Sequence, residues 1–256
     1  MLLALTRSVS PAMAACELTH LARVPIDPAV AASQHLDYCR ALERLGCRVE
    51  QVTPAPTLPD SVFVEDTAVV VDELAVMARP GAVSRRPEVD DVARALRRYR
   101  PLAAIAGPGQ LDGGDVLRVG RVLYVGQSAR TNDAGIAQLR DHLTPLGYEV
   151  HAVRPSGCLH LKTAVTAVSD GALLLNPAWI SPALFDGLDA IAVDPREPFA
   201  ANVVRVGSAV LTASAFPLTR RLVERRGIEV HTVDVSELAK AEGAVTCCSI
   251  LLELDR

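Results

Sequence analysis

The sequence has no apolar run approaching the roughly 18 residues that a membrane-spanning helix needs. Its opening apolar stretch, Met1 to Ala15, is broken by Arg7 and follows no positive residue. That flank pattern predicts a buried strand over Leu2 to Leu5 and not a signal peptide. No C-x-x-C pair occurs among the six cysteines at 16, 39, 47, 158, 247 and 248, which argues against a structural zinc site. Cys39 and Cys47 fall on or just after a helix pattern and read as small core residues. A disulfide framework is not expected in 256 residues that are 50% hydrophobic, because a full core is available instead. A reducing cytoplasm fits this cysteine usage. The formal net charge of −4 supplies no field that would draw the chain to nucleic acid or to an anionic membrane. The G-x-x-x-x-G-K-[ST] phosphate loop and the G-x-G-x-x-G fingerprint are both missing. No linker or low-complexity tract interrupts the chain, so one domain over residues 1–256 is expected.

What is present is repetition. Three segments share one local pattern: Leu45-Gly46-Cys47-Arg48-Val49, Leu146-Gly147-Tyr148-Glu149-Val150 and Arg226-Gly227-Ile228-Glu229-Val230. Each reads as a glycine closing a helix, followed by an alternating strand. Helix signals precede them: Asp27-Pro28, Thr131 or Asn132, and Pro217. Another helix near Pro87 to Tyr99 places Val89, Val92, Ala93 and Leu96 on one face. Strand–turn–strand patterns lie upstream, at Val69 to Ala78, Val116 to Val125, Ala167 to Leu175 and Val203 to Thr212. The unit is hairpin, loop, helix, strand, recurring four or five times. Such units cannot each bury their own face, so they are expected to stack around a shared axis where loops converge.

Five fragments carry reactive side chains. Thr246-Cys247-Cys248-Ser249 leads into Ile250-Leu251-Leu252. If it is a strand, one thiol faces a site and the other the core. His160 sits in Leu159-His160-Leu161-Lys162 with strand alternation and can serve as a general acid and base. Leu111-Asp112-Gly113-Gly114-Asp115 allows close backbone approach. Asp60, Glu65 and Asp66 place three carboxylates within seven residues. A planar guanidinium pairs with carboxylates bidentately. Arg85 and Arg130 each lie between a hairpin and a helix start, where they can hold a ligand carboxylate. Taken singly, each fragment is equally compatible with a core cysteine, a core histidine, a turn or a solvated charge. Taken together, they suit a ligand with a guanidinium at one end and a carboxylate at the other.

The stretches LPDSVFVEDTAVV (58–70), RPGAVSRR (79–86), LDGGDVL (111–117), VGQSARTN (125–132), LHLK (159–162), AAN (200–202) and TCCS (246–249) occur in one order from end to end. In this the sequence resembles the dimethylarginine dimethylaminohydrolase family of the guanidino-group-modifying superfamily. The resemblance implies an α/β fold, a five-bladed pseudo-symmetric propeller of ββαβ units. It implies Cys247 as nucleophile, His160 as general acid and base, and Asp112 as the carboxylate orienting the imidazole. Implied substrate contacts are Leu18, Asp60, Glu65, Asp66, Arg85, Arg130, Ala241 and Glu242. The family commonly has Asp where this chain has Glu242, near the expected α-amino end of the substrate.

The implied activity is hydrolysis of N-ω-methylated arginines to citrulline through a covalent intermediate. It needs no metal and no organic cofactor, and its partner is a small arginine derivative. A monomer or homodimer is expected. Two other readings stay open: an arginine deiminase of the same superfamily, releasing ammonia, and a non-catalytic ligand-binding propeller. No protease motif surrounds Cys247.

Overall fold

The computed structural model describes residues 1–254. Among them, fifteen strands form five three-stranded sheets. Strands β1 (Leu2–Thr6) and β2 (Arg48–Gln51) belong to the first sheet; β3 (Ala68–Val70), β4 (Ala75–Met77) and β5 (Leu102–Ala104) make the second. The third is β6 (Val116–Val119), β7 (Val122–Gly126) and β8 (Glu149–Val153), and the fourth β9 (Val165–Ala167), β10 (Ala172–Leu175) and β11 (Asp189–Ala192). The fifth is β12 (Val203–Val206), β13 (Ala209–Ala213) and β14 (Glu229–Val233). The last strand, β15 (Ile250–Glu253), returns to the first sheet and pairs antiparallel with β1, Leu3 opposite Leu252 and Leu5 opposite Ile250.

Every sheet follows one plan: an antiparallel pair, then a third strand parallel to the middle one. The parallel step needs a crossover, usually a helix. Helices α1 (Pro28–Arg44), α2 (Val89–Leu96), α3 (Asp133–Leu143) and α5 (Pro217–Glu224) supply it in four units; α4 (Leu161–Ala164) and α6 (Ser236–Ala239) are single turns elsewhere. The side chain of Asp27 caps α1 by accepting the N–H groups of Ala29 and Val30, and that of Asn132 caps α3 by accepting the Gly135 N–H. Gly46, Gly147 and Gly227 carry φ of +92°, +81° and +76°, the left-handed turn from helix to strand that the repeated glycines predict. The fourth unit differs. Pro177 and Pro182 break the segment between β10 and β11, which holds only a short 3-10 turn, Pro182–Leu184.

The first strand of every antiparallel pair faces one axis. Val69 of β3, Leu117 of β6, Ala167 of β9, Val204 of β12 and Leu251 of β15 line a single cavity on that axis. The outer layers pack helices onto the sheets; Ile136, Leu139 and Leu143 of α3 are fully or nearly fully buried with Leu123 and Val125. The result is the five-bladed α/β propeller. No helix among the described residues is long and apolar enough to cross a membrane.

Candidate active site

The reactive residues occupy corresponding places in the units, in the turn just before each axial strand. Asp60 to Asp66 precede β3, Asp112 to Asp115 precede β6, His160 precedes β9, Asn202 precedes β12, and Thr246 to Cys248 precede β15. Several of these turns are tight 3-10 turns: Val64–Thr67, Gly113–Asp115 and Thr246–Cys248. Pseudo-symmetry therefore gathers them at one end of the axis.

The cysteine pair is not on a strand. Thr246–Cys248 is a 3-10 turn, and β15 starts at Ile250. A 3-10 turn also rotates adjacent side chains apart, by about 120°. Cys248 is fully buried in the core around Tyr38 and Leu42, and Cys247 is partly exposed at the cavity. The Ala244 N–H donates to the Cys247 Sγ at 3.4 Å. Burial, with Glu65 and Asp66 nearby, pushes the Cys247 thiol up to about 12, so it is protonated near neutral pH.

His160 is likewise not a strand residue. It is the N-cap position of α4. Its Nε2 lies 3.1 Å from Asp112 Oδ2, and its Nδ1 lies 3.9 Å from Asp66 Oδ1. Burial opposes the imidazolium, but Asp66, the hydrogen bond to Asp112, and Asp115 outweigh it and raise His160 to about 9. Asp112 is fully buried; its Oδ1 accepts the Gly81 N–H at 2.9 Å. The two glycines of LDGGD are required by space. A Cβ on Gly113 would stand 2.0 Å from the Glu65 carbonyl oxygen, and one on Gly114 would stand 2.7 Å from both Asp66 Oδ1 and His160 Nδ1.

Cys247 and His160 line one cavity, together with Asp60, Asp66, Arg85 and Arg130. Ala241 and Glu242 form another part of its wall. A thiol, an imidazolium and acids around one small cavity describe covalent chemistry on a cation. No protein-family model matches the chain. A dimethylarginine dimethylaminohydrolase of Streptomyces coelicolor is 43% identical over 251 residues, covering 97% of this chain and 96% of that one. The chain belongs to the dimethylarginine dimethylaminohydrolase family. The Pseudomonas aeruginosa member, solved as a serine-for-cysteine mutant complexed with citrulline, superposes with a TM-score of 0.93 at 33% identity, covering 97% of this chain and 98% of that one. A glycine-for-histidine variant, solved as an adduct with S-methyl-L-thiocitrulline, gives 0.93 at 32% identity, covering 98% and 100%.

Some of the contacts expected from the sequence lie outside this cavity. Glu65 does not line the catalytic cavity. It lies below it, where Oε1 accepts from Lys162 Nζ at 2.6 Å and Oε2 from the Thr246 hydroxyl at 2.7 Å. Glu65, Lys162 and Thr246 line the axial cavity instead, so this pair is the floor between the two spaces. Glu65 and Asp66 are neighbours in a 3-10 turn, which rotates successive side chains by about 120°, so that only Asp66 faces the catalytic cavity. Arg85 has little left to offer a ligand. Its Nε and Nη2 bind Glu88, its Nη1 binds Asp66 Oδ2 at 2.5 Å, and Nη2 also reaches the carbonyl oxygens of Asp60 and Phe63. Arg130 is freer, donating from Nη2 to the Thr19 hydroxyl at 3.0 Å.

Leu18 is half-buried against the core and does not line the cavity; its neighbour Glu17 does. The Glu242 carboxylate turns away toward the segment at 19–21. Nothing in the single sequence singles out Glu17, because its role depends on Asp60, whose Oδ2 accepts the Glu17 N–H at 3.1 Å. Asp66, Asp112 and His160 have ligand atoms within 4.8 Å of one another, the spacing of a metal trio. Here Arg85 and the Gly114 N–H occupy Asp66, and the Gly81 N–H and His160 occupy Asp112.

Proposed function

We propose that this chain hydrolyses N-ω-methylated L-arginines to L-citrulline and methylamine or dimethylamine, with Cys247 as nucleophile. The reading rests most on Cys247 and the Asp112-braced His160 lining the same acid-walled cavity. It is supported by the likeness to relatives solved with citrulline and with a thiocitrulline adduct. The chain acts as a small-molecule enzyme on the guanidino C–N bond.

Asp60 and Asp66 accept the guanidinium. Burial raises Asp60, which therefore favours a cation that restores its charge. The bound cation stabilises the thiolate of Cys247, whose proton leaves to solvent. Sulfur attacks the central guanidinium carbon and forms a tetrahedral adduct. His160, charged near neutrality, donates its proton to the substituted nitrogen; the C–N bond breaks and the amine departs. The remaining S-alkyl thiouronium is cationic. Neutral His160 takes a proton from water as its oxygen attacks the same carbon. Loss of the hydroxyl proton and expulsion of the thiolate release citrulline and restore Cys247. Asp112 keeps the imidazole oriented, as the third member of a triad does. Arg130, with the remaining N–H of Arg85, faces the α-carboxylate, and the Ala241 region faces the α-amino group. Product analysis with arginine, monomethylarginine and asymmetric dimethylarginine side by side tests this. Citrulline with dimethylamine supports it; ammonia from arginine alone would replace it with a deiminase, and no turnover with a binding protein.

A further inference from the structure

The segment at 17–21 borders the catalytic cavity through Glu17, and it is held from several units at once. Asp60 Oδ2 accepts the Glu17 N–H, the Ser84 hydroxyl bonds the Glu17 carboxylate, and Arg130 donates to the Thr19 hydroxyl. The densest hold is Glu242. Its Oε2 accepts the Thr19 N–H at 2.9 Å, and its Oε1 accepts the N–H groups of His20 at 2.5 Å and Leu21 at 2.6 Å. One carboxylate therefore gathers three consecutive backbone donors, 221 to 223 positions away in sequence. Glu242 does so from a backbone φ of +58°, the one non-glycine residue among those described with positive φ. That conformation is disfavoured for a residue with a Cβ. Glycine would relieve it, so the side chain must earn its place.

We propose that Glu242 is a positioning residue, a latch that holds the 17–21 segment closed over the catalytic cavity and thereby sets the affinity for substrate. The inference rests on the cavity being the substrate site. His160, Asp60 and Arg130 are 5%, 5% and 8% exposed, and the segment bonds both Asp60 and Arg130, so lifting it opens the cavity further and the latch governs how firmly it returns. Charge-assisted bonds to backbone N–H groups are roughly twice as strong as neutral ones. Glu reaches where Asp, one methylene shorter, would leave some of the three donors unmet. Apparent affinity falls by the fraction of closed, binding-competent molecules, and turnover at saturation is spared.

The test is Glu242→Gly, which keeps the backbone conformation and removes the latch, beside Glu242→Asp. In Glu242→Gly, KM for the methylarginine rises by about tenfold or more while kcat stays within about threefold. Glu242→Asp falls between. Two readouts need no turnover and involve atoms that Glu242 does not bond. The Glu17 amide exchanges hydrogen faster, and a neutral alkylating reagent modifies Cys247 faster at one pH. A lower kcat with unchanged KM, or unchanged Glu17 exchange and Cys247 alkylation, would overturn the latch. Absence of turnover in the unsubstituted chain would sink the proposed activity and leave these two readouts to judge the latch.

Discussion

Asn202 holds Thr246 from two sides: its Oδ1 accepts the Thr246 N–H at 3.0 Å, and its Nδ2 donates to the Thr246 hydroxyl at 2.9 Å. The same Nδ2 donates to the Lys162 carbonyl at 2.9 Å. One buried amide thus ties the turn carrying Cys247 to the helix turn that His160 caps. Asn202→Ala leaves buried groups unpaired at about 1–3 kcal/mol each and lets the two turns drift. We expect kcat to fall about tenfold to a hundredfold, with a smaller change in KM. Asn202→Asp keeps the acceptor but turns an oxygen toward the Lys162 carbonyl, so it should not rescue. Rescue in steady-state kinetics would show that the Nδ2 bonds are idle.

The two cysteines separate by burial. Cys247→Ser should lower turnover by at least about a thousandfold, because a hydroxyl is a far weaker nucleophile here. Cys248→Ala opens a small core gap and should cost about 1 kcal/mol of stability with turnover within about threefold. Mass spectrometry of quenched reactions should find the adduct on Cys247 alone. An adduct on Cys248 reverses the assignment.

The pH dependence follows from His160 and Asp66. His160 is raised from 6.5 to about 9, so its contribution to stability is whole below pH 6.5 and is lost as pH rises through about 9. Asp66 is lowered from 3.8 to about 2, as His160 and Arg85 outweigh its burial. Its contribution is whole above pH 3.8 and is lost as pH falls through about 2. The pair faces each other, so these changes belong to both. As general acid, His160 predicts kcat/KM falling above about pH 9. His160→Gly should accumulate the thiouronium or stop chemistry; near-normal turnover would remove its role.

Asp115 is fully buried, accepts the Leu161 N–H at 3.0 Å and the Ser128 hydroxyl at 2.6 Å, and so pins the start of α4 beside His160. Burial raises it from 3.8 to about 6 despite His160 and these donors. A raised carboxyl contributes stability below pH 3.8 that is lost as pH climbs through about 6, on the order of 2–3 kcal/mol. Asp115→Asn should flatten the stability curve between those pH values in denaturant titrations. It should also lower the upper pH limit of activity, because His160 loses a neighbouring charge. An unmoved limit would confine Asp115 to structure.

The floor pair Glu65 and Lys162 is little exposed, at 12% and 16% of their side chains. Removing one partner strands the other. Lys162→Met should cost about 3 kcal/mol and Glu65→Gln less; the double variant should recover part of the loss. Thermal denaturation of the set would show this. Additive losses would mean that the pair is not coupled.

The sequence by itself determined the repeat and the parts. Gly46, Gly147 and Gly227 mark where a chain must turn left-handed out of a helix, and Asp27 and Asn132 mark where helices begin; both are local backbone physics. The order of the reactive motifs likewise pointed to the family. Three-dimensional packing decided the rest. Cys247 and His160 were expected on strands, but sit at a 3-10 turn and a helix cap, because short apolar runs carry no period of their own. Glu65 and Asp66 look alike in sequence, and only the axis separates floor from wall. Arg85 is spent on Glu88, and Glu242 on a segment more than two hundred positions away. Side-chain partners across such distances are set by how five sheets close around one line, which no local pattern encodes.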